Sequence, residues 1–295
     1  MLWVILSLSA GFFVALSDAL NKRYLGQEGY IKMALARTLG TLPFLFPVLL
    51  YLTVKKEVYL YLTWDFIQNV LLLLSLEIMA TLSYMRGIEI SPLSASLPFL
   101  SFTPIFVIFT GYLILGESIS LPGFLGILLI VVGAYMIHLP RRVEGFLGPV
   151  KGIWRERGSF YILVTALIYG VTSVLGKRGI LLSDPLFFAS IYFSLLSVVT
   201  PFVLWMIKPS MTVGVFLKQN TRVILLVGLT QALMCLSHML ALSLVETAYM
   251  IALKRSSILF AVLLGWYMFR EKHFRLRLSA SLVMFLGIIV IAFFK

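Results

Sequence analysis

Apolar residues gather along this chain into runs of about 20, each long enough to cross roughly 30 Å of hydrocarbon as a helix. The pattern predicts ten spans: Leu2–Leu20, Lys32–Thr53, Phe66–Arg86, Pro92–Leu115, Ile119–Leu139, Ser159–Leu175, Leu186–Ile207, Arg222–Val245, Ala248–Phe269 and Leu276–Phe294. Most connections are short. Gly87-Ile88-Glu89-Ile90-Ser91 joins the third and fourth spans, and Gly116-Glu117-Ser118 joins the fourth and fifth. Such loops make consecutive spans antiparallel neighbours. The longest connection, Pro140–Gly158, holds Arg141, Arg142, Lys151, Arg155 and Arg157 beside Phe146, Ile153 and Trp154. That mixture suits a segment lying along lipid headgroups. Met1-Leu2-Trp3 runs straight into the first span without a basic leader or a small-residue cleavage site, so the first span is expected to be retained.

The basic loop separates two similar halves. At an offset of 154 residues Glu77 meets Gln231, Ser83 meets Ser237, Gly111 meets Gly265, Glu117 meets Glu271 and Gly133 meets Gly287. At an offset of 155, Asp18-Ala-Leu-Asn-Lys22-Arg23 meets Ser173-Val-Leu-Gly-Lys177-Arg178. A nearly constant offset argues for duplication. The expected units are 1–139 and 159–295, joined by the linker 140–158. Each half has five spans, an odd number, so the second enters the membrane inverted relative to the first. The expected fold is an all-α integral membrane protein: ten helices in two inverted five-helix repeats around a central cavity. Inverted repeats with a midplane site are a transporter architecture.

Composition narrows the class. Of 295 residues, 61% are hydrophobic and 12% charged, against about 25% charged in soluble domains. The net charge of +12 comes mostly from residues flanking the apolar runs, where they meet anionic headgroups; nucleic acid is not an expected partner. Connections on the side opposite the termini hold sixteen Lys or Arg, against five on the terminal side. By the positive-inside rule both termini lie outside the cytoplasm. The single cysteine, Cys235, allows no disulfide within the chain.

Lys254 and Arg255 stand side by side inside the ninth apolar run. A cation near the bilayer centre costs about 2.5–3.5 kcal/mol on insertion scales. The pair therefore needs a partner. In one reading it binds an anionic substrate, Lys as a point charge and Arg as a bidentate fork. In the other it pairs with Glu77 or Glu246, or snorkels to the interface. Glu77, about eleven residues into the third span, is a proton-coupling carboxylate, a charge that repels the wrong substrates, or a fixed counter-ion to Lys254 or Arg37. Arg37 either lines a cavity or holds Glu77. His238 is the repeat mate of Tyr84, and is a ligand or a hydrogen-bonded structural residue. Gln231, the mate of Glu77, is a neutral ligand candidate.

The stretch Ser91–Pro104 places three prolines and several hydroxyls in the fourth span. Proline frees a backbone carbonyl one turn earlier, and such groups need neighbours or a wet cavity. Ser101 and Thr103 therefore either touch substrate or only mend the breaks. Glu117 and Glu271 are expected to cap helices and pair at the interface. No metal cluster, HExxH, GxSxG or GxxxxGK[ST] is present. ATP-driven transport within this chain, a bound cofactor and an enzymatic role are therefore not expected.

Leu82-Ser-Tyr84-Met-Arg-Gly87 through Ser91-Pro92-Leu-Ser-Ala95, Thr103-Pro104, Gly116-Glu117, Gly126 and Gly133 resemble the EamA-type domain of the drug/metabolite transporter superfamily. Ala241-Leu through Thr247-Ala248, Gly265, Glu271 and Gly287 follow the same track. The resemblance spans nearly the whole chain and implies ten helices in two inverted repeats, a central cavity and secondary transport. Ala252-Leu-Lys254-Arg255 is also similar to the lysine-arginine pair that binds phosphate in plastid triose-phosphate translocators. The chain otherwise looks most like prokaryotic members, which implies a cell inner membrane. Members are commonly drawn with cytoplasmic termini; the charge count argues the opposite.

The expectation is a secondary transporter for a small polar metabolite bearing phosphate or carboxylate, working by alternating access. Lys254, Arg255, Arg37, Tyr84, Ser101, Thr103, Gln231 and His238 would contact substrate, with Glu77 for a coupling proton. The partners would be that substrate, the bilayer and a coupling proton or counter-substrate. The alternatives are an exporter of amino acids or of neutral or cationic drugs with the basic pair structural, and a flippase for phosphorylated lipid headgroups.

Overall fold

The computed structural model describes residues 1–55, 61–90, 97–137, 157–207, 213–269 and 274–294. No strand occurs among them. They form α1 (Leu2–Leu25), α2 (Tyr30–Leu39), α3 (Leu42–Lys55) and α4 (Trp64–Ile90), then a 3-10 turn (Leu97–Phe102), α5 (Thr103–Leu115) and α6 (Leu121–Ile137). The second half supplies α7 (Arg157–Leu181), α8 (Pro185–Ile207), α9 (Val213–Leu242), α10 (Thr247–Lys254), α11 (Ser257–Phe269) and α12 (Phe274–Phe294). Most of the basic loop, together with Ser91–Ser96, Arg270, Glu271 and Lys272, lies outside the described residues.

Six helical stretches are long and apolar enough to cross a membrane: α1, Tyr30–Lys55, α4, α7, α8 and α9. Phe109, Leu113, Val198, Phe202, Phe285 and Leu286 are exposed on the outside of the bundle. A soluble surface would not carry so much large apolar area; hydrocarbon accommodates it.

Three of the predicted single spans are broken. The second divides at Gly40-Thr41, between α2 and α3. A Cβ on Gly40 would sit 2.5 Å from the Ile224 carbonyl oxygen, and one on Gly228 would sit 1.9 Å from that of Gly40. The break is thus pressed directly against the α9 backbone. Ser197 of α8 mends it by donating to the Thr38 carbonyl at 2.7 Å, with the Thr41 hydroxyl 2.8 Å away. The fourth span divides between the 3-10 turn and α5, with Pro104 in the first turn of α5, where its missing amide costs nothing. The ninth divides between Lys254 and Ser257, and no proline or glycine is involved. Tightened bonds carry the chain across: Ser256 N to Leu253 O at 2.9 Å and Ile258 N to Arg255 O at 3.0 Å. Gly11 of α1 permits this, since a Cβ there would meet Ser256 Oγ at 2.8 Å and the Lys254 carbonyl at 3.0 Å. The eighth span begins earlier than predicted, at Val213, and is non-helical at Asn220.

Packing pairs the halves. α6 lies along α12, α1 along α9 and α4 along α7, while α8 covers α2 and α3. Close approach of α6 and α12 depends on facing glycines: a Cβ on Gly287 would stand 2.6 Å from the Gly126 carbonyl oxygen.

Candidate functional site

A cavity of about 120 Å³ lies between the α1–α9 and α4–α7 pairs. α1 contributes Val14, Ala15 and Asp18; α2 contributes Arg37; α4 contributes Leu73, Glu77 and Tyr84. From the second half come Tyr169, Thr172 and Ser173 of α7, Tyr192 and Phe193 of α8, and Gln231, Met234 and His238 of α9. Ile251, Lys254, Arg255, Ser257 and Ile258 close the wall at the α10–α11 break. Two repeat-mate pairs, Glu77 with Gln231 and Tyr84 with His238, thus face one space.

The cations differ in how they are held. Arg37 Nη1 donates to Asp18 Oδ1 at 2.5 Å, the Tyr84 hydroxyl donates to Asp18 Oδ2 at 3.0 Å, and the Arg37 guanidinium lies 5.5 Å from the Tyr84 ring centre. Asn21 ties α1 to α2 beside this cluster by donating to the Met33 carbonyl at 3.0 Å. Arg37 is therefore satisfied by Asp18, an acceptor that sequence reasoning noted only as part of a repeat match. Its contribution was hidden because α1 and α2 meet only in the fold.

Lys254 Nζ is 2.8 Å from His238 Nδ1. An ammonium can only donate, so with Lys254 charged Nδ1 accepts and the imidazole proton sits on Nε2. Arg255 is 7% exposed, and its Nε has no hydrogen-bond partner. Among the described residues no carboxylate lies within 4.0 Å of Lys254 or Arg255. The pairing with Glu77 that sequence reasoning weighed is not formed at that distance. Glu77 and Thr172 line the same wall. Arg37, Lys254 and Arg255 face this wall together with two carboxylates, Asp18 and Glu77.

Ser101 and Thr103 are not brought to the cavity. Both are fully buried, and the Thr103 hydroxyl donates to the Leu100 carbonyl at 2.7 Å. The hydroxyl mends the 3-10 turn, and Leu100 of that element reaches the space. Lys254, Arg255, Arg37, Glu77, Tyr84, Gln231 and His238 all line it.

Glu117 follows Gly116, which ends α5 in the left-handed conformation (φ 68°) that glycine adopts without strain. Its carboxylate accepts from Thr247 N at 3.0 Å and from Thr247 Oγ1 at 3.0 Å, and pairs with Lys177 Nζ at 3.2 Å. It caps α10, the helix that presents Lys254, from the other half of the chain. Its mate Glu271 lies outside the described residues.

The sequence pattern of the EamA-like transporter family matches residues 1–139 and 156–293. The chain belongs to that family. It is a multi-pass integral membrane transporter. One crystal structure, 12% identical, superposes over 98% of this chain and 94% of its own with a TM-score of 0.69, and 29 solved chains match in all. That likeness concerns the fold alone. A search of curated proteins finds no significant match.

Proposed function

We propose that the chain is a secondary transporter that moves a small polar anion, bearing phosphate or carboxylate, through this cavity by alternating access. The observation that carries the reading is Arg255: a guanidinium in the cavity wall, almost fully buried, with an unpartnered Nε and no carboxylate within 4.0 Å among the described residues. A buried unpaired charge is expensive, and an anionic substrate offsets that cost at the moment of binding. Lys254 adds a second donor head, with two N–H groups beyond the one on His238. Ser257, the first residue of α11, lines the same space, and a helix N-terminus favours negative charge.

Ten membrane helices in two inverted five-helix units, 1–139 and 159–295 with linker 140–158, form the framework of this proposal. Three observations support it. α11 begins 154 residues after α5, the sequence offset itself, so both halves carry a helix interrupted at one position. α1 packs on α9 as α7 packs on α4, and α1 packs on α11 as α7 packs on α5. The mate pairs Glu77/Gln231 and Tyr84/His238 share the cavity. Interrupted helices at a repeat interface suit a substrate site. We assign Glu77 to proton coupling, and the positive-inside count places the termini outside the cytoplasm in this scheme.

An exporter of neutral or cationic compounds would need Lys254 and Arg255 neutralised within the protein, and no ion pair to either occurs among the described residues. The purified chain should be screened by thermal shift against metabolites grouped by charge, since ligands of the folded state raise apparent stability. Phosphorylated or carboxylated compounds are expected to stabilise wild type and to lose that effect in Arg255→Gln. Stabilisation only by neutral or cationic compounds, or full transport by well-folded Lys254→Ala and Arg255→Ala in proteoliposomes, would overturn the proposal.

A further inference from the structure

We infer that the transported anion carries hydrogen-bond donors, hydroxyl or ammonium, besides its charged group, and that Glu77 and Gln231 select for them. The inference rests on the anion-carrier reading and names the chemistry of the same cavity. That space holds an unsatisfied cation together with unsatisfied acceptors. Gln231 Oε1 is buried without a partner in a residue 7% exposed, and its Nε2 has only a 4.0 Å contact with Cys235 Sγ. Glu77 lines the same space and has, among the described residues, no cation within 4.0 Å. A carboxylate offers about four lone-pair sites, so Glu77 retains acceptor capacity.

A bare anion would answer Arg255 and leave these acceptors desolvated. A ligand with two separate anionic groups would set the second in a space that already holds the Glu77 carboxylate, and like charge is an effective means of rejection. A ligand with one anionic group and separate donors satisfies both kinds of wall group, and a site that hydrogen-bonds a substrate strongly rejects the analogue lacking that donor. The groups are placed independently. Arg255 sits at the α10–α11 break, whereas Glu77 and Gln231 occupy equivalent positions on the long helices α4 and α9, 154 residues apart.

The experiment is equilibrium binding to the purified full-length chain, read by thermal shift and competition, which does not depend on ion coupling. The probes are butyrate, 4-hydroxybutyrate, 4-aminobutyrate and succinate, with propyl, 3-hydroxypropyl and 3-aminopropyl phosphate as a second set. In at least one set, a donor-bearing probe is expected to bind ten-fold or more tightly than its alkyl counterpart, and in the carboxylate set more tightly than succinate. Glu77→Gln should abolish a preference for ammonium while keeping one for hydroxyl. Gln231→Leu should reduce both, and Arg255→Gln should abolish binding throughout. Equal binding of alkyl and donor-bearing probes, or a preference unmoved by Glu77→Gln and Gln231→Leu, would overturn this inference and leave the anion carrier standing. Binding of no probe in either set to wild type would overturn both.

Discussion

Arg37 and Asp18 form a closed ion pair in the cavity wall, with Nη1 2.5 Å from Oδ1. Breaking one side of a buried pair strands the other charge at a cost of about 3–5 kcal/mol, whereas removing both leaves no orphan. Asp18→Asn and Arg37→Gln should each lower the unfolding temperature in detergent, and the double variant should lose less than the sum. Strictly additive losses would show that the two groups are not coupled.

The α9 backbone meets the α2–α3 break without side chains between them. Gly228→Ala places a methyl 1.9 Å from the Gly40 carbonyl oxygen, a clash that only backbone movement relieves. The variant should fail to accumulate as a monodisperse protein, or melt far below wild type. Gly214→Ala is the control, because nothing lies within 4 Å of a Cβ there. Equal behaviour of the two on size exclusion would contradict the crossing.

Glu117 holds the start of α10 and pairs with Lys177, both little exposed at 11% and 14% of the side chain. Glu117→Ala removes the cap and the counter-charge of a buried ammonium that then keeps only the Val245 carbonyl, an expected loss of about 2–5 kcal/mol. Glu117→Gln still accepts from Thr247 and should lose less. Because α10 carries Lys254, the alanine variant should also weaken anion binding in a titration, and Lys177→Met in the glutamine background should recover stability.

His238 is the acceptor that keeps Lys254 in place at 2.8 Å. His238→Leu leaves that ammonium without its hydrogen bond, at a cost of about 1–3 kcal/mol. His238→Gln supplies another acceptor and should recover part of it. Denaturation midpoints separate the cases: Leu and Gln variants of equal stability would mean that the contact contributes nothing.

Much of the cavity was legible in the sequence because bilayers make polar residues conspicuous. Lys254, Arg255, Arg37 and Glu77 stand out in apolar runs, and lipid offers them no partner. The repeat offset then pointed to Gln231 and His238 through their mates. Ser101 and Thr103 misled because a hydroxyl beside proline serves a neighbouring carbonyl as readily as a ligand, and composition does not tell these roles apart. Asp18 was underrated because it sits near the end of its apolar run, where charges are ordinary.

The sequence by itself determined the family, the helical class and the membrane setting. These follow from run length, from the near absence of charge within the runs and from the recurring offset, all local or periodic properties of the chain. Tertiary structure alone decided which charges meet. Asp18 and Arg37 are 19 residues apart, Glu117 and Thr247 are 130 apart, and no period links either pair. It also decided where helices break: at Gly40 because α9 presses its backbone there, and at Arg255 because Gly11 lets α1 come close enough to support the tightened turn. Both are consequences of packing volume, which the order of residues does not display until helices from the two halves are laid together.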